Sequence, residues 1–360
     1  MRSTSRDRPW TRPSLDWLLI FVPVSVVAEL WGQPVLLFIA SALAIVPLAG
    51  LIGRSTEQLA IRAGPRVGGL LNATFGNLTE LIVAVLLVEA GDLVIVKASL
   101  IGSIVGNLLL VLGLAFVAGG LGRDQQRFSA GAAGVHSSSL VLAVAGLLVP
   151  ALLVLTTPTL SFSGREVVSA GIAAVLILVY LAAVAFTQLT HAHLFRVPER
   201  DEVASWSLPL SVAVLAGSAL LVGGESELLV TSLRPAIGSL GVPPMFVGLI
   251  LIPVIGNAAE HAAAIRFAIR DRLDVTLEIA VGSSTQVAMF VAPLLVFVSL
   301  ALGRPMDFVF TGFEVAVVAL ATLSVTVASL DGRSNWLEGV QLLGAYLVIA
   351  LAAFFLGPGG

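Results

Sequence analysis

The sequence predicts an all-α polytopic membrane protein, with eleven transmembrane helices arranged as one leading helix followed by two inverted five-helix repeats. Three observations carry this expectation. First, 58% of the 360 residues are hydrophobic and only 11% are charged, whereas roughly a quarter of the residues in an average soluble domain are charged, so water is not the main solvent. Second, the apolar residues form continuous windows about 20 residues long, the length that crosses hydrocarbon as a helix, rather than the alternating runs of a β-barrel. Third, a polar pattern, Gly-Asn-x-x-Glu, occurs twice inside apolar segments, at Gly76-Asn77-Leu78-Thr79-Glu80 and at Gly256-Asn257-Ala258-Ala259-Glu260, with the two glutamates 180 residues apart.

The hydropathy pattern places spans at residues 15–31, 34–53, 67–89, 95–119, 129–153, 166–190, 207–223, 243–267, 275–302, 308–329 and 335–356. Residues 1–33 form a tail and first helix, and Met1 to Pro13 is polar and Arg-rich, unlike a cleavable signal peptide. Residues 34–190 form one five-helix repeat and 207–360 the other, joined by a polar linker at 191–206 that carries Arg196, Glu199, Arg200, Asp201 and Glu202. With the N-terminus in the cytoplasm, 15 of the 19 basic residues fall on the inner side; Lys97, Arg165, Arg234 and Arg304 stay outside. That asymmetry sets the orientation, and the odd span count puts the C-terminus outside. The absence of cysteine excludes disulfide and thiol chemistry.

An odd number of spans per half makes the second half enter the membrane in the opposite sense. Matched segments support this repeat: Thr56-Glu57-Gln58-Leu59 with Ser226-Glu227-Leu228-Leu229, the two Gly-Asn-x-x-Glu motifs, and Gly102-Ser103 with Gly282-Ser283. Inverted repeats with polar, broken helices at their centre are the layout of alternating-access carriers.

A carboxylate inside hydrocarbon persists only where it faces a cavity, a partner or an ion. Asn and Glu three residues apart share one side of a helix, so the motifs aim Asn77, Glu80, Asn257 and Glu260 into one cavity. Two carboxylates and two amide oxygens suit a hard divalent cation, Ca²⁺ above all, with water and backbone carbonyls at helix breaks completing about six to eight oxygens. Pro253 disturbs its helix just before Gly256, and Gly76 loosens the corresponding point in the first half. Like charges in a weakly screened site raise each other's proton affinity, so either Ca²⁺ or protons occupy the pair. His261, next to Glu260, either carries a coupled proton, senses pH, or is a packed interhelical hydrogen bonder. Asn107 and Gln286 read equally as cation ligands or interhelical glue, and Ser103, Ser283 and Ser284 permit close packing and line the path. Glu57 and Glu227 are candidates for the mouths of the pathway. An intramembrane metallopeptidase needs His-Glu-x-x-His, which Ile265 breaks; no ATP-binding loop points to primary pumping.

The segments Gly68 to Ile82 and Gly248 to His261, with Gly282-Ser283-Ser284-Thr285-Gln286, resemble the signature repeats of the Ca²⁺/H⁺ antiporter (CAX) family. The resemblance implies eleven helices, Glu80 and Glu260 as the central cation and proton carriers, and export of cytoplasmic Ca²⁺ in exchange for external protons across a bacterial inner membrane. It implies no cofactor and no enzymatic step: Ca²⁺ and H⁺ are substrates, the bilayer is the solvent, nucleic acid has no role, and a homo-oligomer is compatible with the chain. The linker is shorter and more mixed in charge than the acidic helix of many relatives. Na⁺-coupled or other cation exchange is the alternative, disfavoured because Gly-Thr-Ser-x-Pro-Glu motifs are missing.

Overall fold

The computed structural model describes residues 15–191 and 204–356. The N-terminal tail and the linker residues Arg196, Glu199, Arg200, Asp201 and Glu202 lie outside the described residues. After a 3₁₀ turn at Leu15–Ile20, α1 spans Phe21–Leu30 and α2 spans Pro34–Gly64. Gly64 is non-helical (φ 79°, ψ 171°) and separates α2 from α3 at residues 65–75. Next come α4 (Leu78–Ala90), α5 (Leu93–Gly120), α6 (Ala130–Thr156) and α7 (Phe162–Gln188). The second half holds α8 (Leu208–Leu240), α9 (Pro244–Gly256), α10 (Ala258–Ile269), α11 (Leu273–Ala301), α12 (Gly312–Ala328) and α13 (Trp336–Phe355). A two-residue antiparallel pairing of β1 (Gln126–Arg127) with β2 (Arg333–Ser334) closes the loops beyond α5 and α12.

The chain is thus a helical membrane protein. Among the described residues, seven helices are long and apolar enough to span a bilayer, and the bent pair α9–α10 makes eight. Local chemistry sets the ends. Ser129, Ser161 and Ser207 accept a backbone N–H at the starts of α6, α7 and α8, and Thr311 with Glu314 forms a capping box on α12. Gly91 and Gly241 end α4 and α8 in the left-handed region, where a side chain would be strained.

Two expected spans differ in extent. The second runs to Gly64 rather than 53, and the seventh to Leu240 rather than 223. Hydropathy falls at Gly223-Gly224-Glu225-Ser226, yet α8 continues because its polar face turns inward: Glu225 and Ser226 are buried.

The main core surrounds α5, whose Ile101, Ile104, Leu108, Leu112 and Phe116 are almost wholly buried. Lipid is as apolar as leucine, so helix association rests on close packing rather than transfer from water. A Cβ on Gly248 would stand 2.6 Å from the Ala98 Cβ, and one on Gly102 would strike the Leu249 carbonyl and Pro253, so α5 and α9 meet backbone to backbone. A smaller apolar cluster of Leu48, Ile52, Leu215 and Val222 joins α2 to α8. Leu155, Leu178, Leu347 and Phe355 point outward from α6, α7 and α13; apolar surface on this scale is a lipid-facing belt.

Candidate functional site

Each Gly-Asn-x-x-Glu motif interrupts a helix. Asn77 (φ −102°, ψ 23°) separates α3 from α4, and Asn257 (φ −98°, ψ 4°) separates α9 from α10, where the axis turns by 62°. The asparagines therefore hold the breaks themselves rather than sharing a helix face with the glutamates, as the spacing alone suggested. Glu80 and Glu260 follow in the first turns of α4 and α10. Unpaired N–H groups and the positive end of the helix dipole favour a negative charge there.

The breaks face each other. A Cβ on Gly256 would lie 3.9 Å from the Glu80 Cγ, so the first-half carboxylate rests against the second-half break. Glu80 lines a narrow cavity with Ser99 and Ser103 of α5, Pro253 of α9 and Gly256.

Neither asparagine's side chain caps the helix that follows it; both reach into the opposite half. The Asn77 Nδ2 donates to the Gln286 Oε1 at 2.6 Å, and the Ser283 hydroxyl donates to the Asn77 Oδ1 at 3.3 Å. The Asn257 Nδ2 donates to the Ser103 Oγ at 3.3 Å and to the Pro253 carbonyl at 3.1 Å. The Asn107 Nδ2 donates to the Ser283 Oγ at 3.3 Å. Asn107 lies in a π-helical stretch of α5 (Gly106–Val111), and in α11 similar stretches (Glu278–Gly282 and Val287–Val291) flank Ser283 and Gln286. Such wide turns loosen the backbone ladder and recur at functional sites.

The geometry thus brings together Asn77, Glu80, Ser103, Asn107, Asn257, Glu260, Ser283 and Gln286. His261 is buried beside them, and its Nε2, the Asn257 Oδ1 and the Glu260 Oε2 have no hydrogen-bond partner. Ser284 turns away, donating to the Ala280 and Ile104 carbonyls at 2.8 and 3.4 Å. Glu57 and Glu227 are exposed, outside this hydrogen-bonded cluster. Among the described residues, no three His, Cys, Asp or Glu side chains converge as a metal-ligand set.

Sequence reasoning passed over three groups. Glu225 in α8 is buried and accepts from the Ser25 hydroxyl of α1 at 2.8 Å. The His136 Nε2 of α6 and the Glu278 Oε2 of α11 are 2.7 Å apart. Neither motif nor repeat marks these residues; only the fold pairs them. His136 and Glu278 line a second, open cavity of about 760 Å³ that reaches Asn72, Thr285 and Gln286, and so adjoins the amide network of Asn77.

The chain is similar to known proteins along nearly its whole length. The sodium/calcium exchanger protein family matches residues 33–188 and 210–355. The Ca²⁺/H⁺ antiporter of Synechocystis sp. is 45% identical over 358 residues, 94% of this chain and 96% of the relative. That of Aphanothece halophytica is 42% identical over 355 residues, covering 94% and 95%. The solved structure of native YfkE superposes with a TM-score of 0.84 at 37% identity, over 95% of this chain and 100% of that one. A family match whose two segments together span most of the chain, and relatives this similar along nearly their whole length, place it plainly: the chain belongs to the sodium/calcium exchanger protein family and, within it, to the Ca²⁺/H⁺ antiporter (CAX) family.

Proposed function

We propose that this protein is a secondary transporter that exports Ca²⁺ from the cytoplasm in exchange for external protons, with Glu80 and Glu260 binding either Ca²⁺ or protons in turn. The observation that carries this reading is the meeting of two carboxylates at two facing helix breaks. Asn257 Oδ1, Glu260 Oε2, the hydroxyls of Ser103 and Ser283 and carbonyls near the breaks supply the flexible oxygen set that Ca²⁺ takes. The naming of the relatives as Ca²⁺/H⁺ antiporters supports the choice of ions and a transport role rather than an enzymatic one.

Alternating access fits a chain of two equivalent halves, and we assign eleven spans as a leading helix plus two inverted repeats, 34–190 and 207–360. The order of features supports this: a long helix (α2, α8), a broken one (α3–α4, α9–α10) and one with π turns (α5, α11) recur in both halves. The two family matches fall on the same segments. The N-terminus is assigned to the cytoplasm and the C-terminus to the outside, in a bacterial inner membrane. With only the two glutamates cycling, two protons per Ca²⁺ is electroneutral; a further proton on His261 makes exchange electrogenic.

Ca²⁺ uptake into proteoliposomes under an imposed pH gradient, without Na⁺, tests the reading. Gradient-driven uptake by the wild type that is lost in Glu80→Gln and in Glu260→Gln is the expected result. Uptake that follows a Na⁺ gradient and ignores the proton gradient overturns it.

A further inference from the structure

The open cavity beside the central cluster contains a carboxylate with no role in the two-glutamate scheme. Glu278 starts a polar line along α11 that passes Gly282 and ends at Gln286, eight residues or roughly 12 Å of helix further on. Gln286 is the residue to which Asn77 donates at 2.6 Å. All three positions line the same cavity. The line therefore leads from open water to the first helix break.

We propose that Glu278 is an antechamber ligand for the divalent cation, the first carboxylate to take Ca²⁺ from the cytoplasmic cavity before Glu80 and Glu260 receive it. The inference rests on the exchange reading and adds to it a residue that governs capture.

Three features support it. The Glu278 side chain keeps 58% of its surface exposed although it sits two turns from the central cluster, whereas His136 opposite keeps 15%. A hydrated cation can thus approach the carboxylate from the cavity without first breaking into the helix packing. Its counterpart is a histidine, whose hold can be exchanged for a cation; an arginine or lysine would keep a fixed positive charge in the path. Gly282 leaves room along the helix: a Cβ there would already stand 3.4 Å from the Glu278 Oε1. Asp274, at the same cavity, is engaged, because its Oδ1 accepts the Ser129 backbone N–H at 2.7 Å. One carboxylate shared with a histidine and water gives a weak oxygen site, as a relay that must release its cargo requires.

The experiment measures initial rates of proton-driven Ca²⁺ uptake, over a range of Ca²⁺ concentrations, in everted membrane vesicles that present the cytoplasmic cavity to the medium. Glu278→Gln is expected to raise the half-saturating Ca²⁺ concentration by about fivefold or more, as loss of one carboxylate from a weak oxygen site would, with the maximal rate little changed. His136→Gln, which frees the carboxylate, is expected to lower it. Glu278→Asp keeps the charge and is expected to stay near wild type in both parameters. A Glu278→Gln protein with unchanged half-saturation overturns the proposal. So does an equal loss of maximal rate in Glu278→Gln and Glu278→Asp, the mark of a bridge that only holds α6 to α11. Absence of proton-driven uptake by the wild type would overturn the exchange reading and this inference together, whereas uptake with half-saturation unaltered in the variant overturns this inference alone.

Discussion

The two helix breaks share a sequence pattern and almost the same backbone, yet they are held differently. Asn77 and Asn257 differ by a few degrees in φ and about 20° in ψ. Both side-chain ends of Asn77 are tied to α11, through Gln286 and Ser283. Asn257 divides its amide nitrogen between Ser103 on α5 and the Pro253 carbonyl one turn back in its own helix, and its Oδ1 has no hydrogen-bond partner. Proline lacks an N–H of its own, but its carbonyl remains an acceptor, and here it retains the Asn257 amide. The pentapeptide therefore specifies the break, while the flanking residues decide whether the asparagine is a strut between halves or an available oxygen.

That difference is open to attack. The largest effect is expected where the breaks are alike: Glu80→Gln and Glu260→Gln each reduce proton-driven Ca²⁺ uptake by about two orders of magnitude or more, as expected for carboxylates kept within the membrane by function. Retained uptake in either variant would break the symmetry of roles.

Next come the glycines. A Cβ at Gly76 would stand 2.6 Å from the Asn72 carbonyl oxygen, whereas one at Gly256 meets nothing nearer than 3.9 Å. Gly76→Ala is therefore expected to lower stability by about 1–3 kcal/mol, the usual cost of overpacking, and Gly256→Ala to melt near wild type in detergent. The reverse order in thermal unfolding would show that the first break relaxes more easily than the second.

The asparagines sharpen the contrast further. Asn77→Ala removes a two-ended strut and is expected to cost about 1–2 kcal/mol, the scale of lost buried hydrogen bonds. Asn257→Ala is expected to affect the half-saturating Ca²⁺ concentration more than the melting temperature. Identical profiles for the two would erase the distinction between strut and ligand. The smallest effects belong to Glu57→Gln and Glu227→Gln, since both side chains are exposed on their helices. Changes below about threefold that fade as salt rises from low to physiological strength are expected for exposed charges, and uptake kinetics at two ionic strengths measure them.

The helical membrane class was legible because composition and run length report the solvent directly. The breaks were legible because Gly76, Pro253 and Gly256 are helix-weakening residues placed where hydrophobicity gives no reason for them. The end of α8 was misjudged at Gly223: a hydropathy window registers Glu225 as polar without knowing that Ser25 and the packed face of α8 enclose it. His136 and Glu278 were illegible for a related reason. Each is a single polar residue in its own span, and the chemistry exists only once α6 lies beside α11. The repeat revealed paired groups; groups without a counterpart in the other half left no pattern to find.

The contact between Ser25 and Glu225 gives the leading helix a purpose apart from transport. The Ser25 hydroxyl donates to the Val22 carbonyl at 2.7 Å as well as to the Glu225 Oε1, so α1 is fastened to itself and to α8 by one side chain. Take α1 away and the buried Glu225 carboxyl loses the hydroxyl that donates to it, a cost of about 1–3 kcal/mol for a buried acceptor left without its partner. The first helix is thus a fastening: it supplies the bond that one buried acid of α8 would otherwise lack.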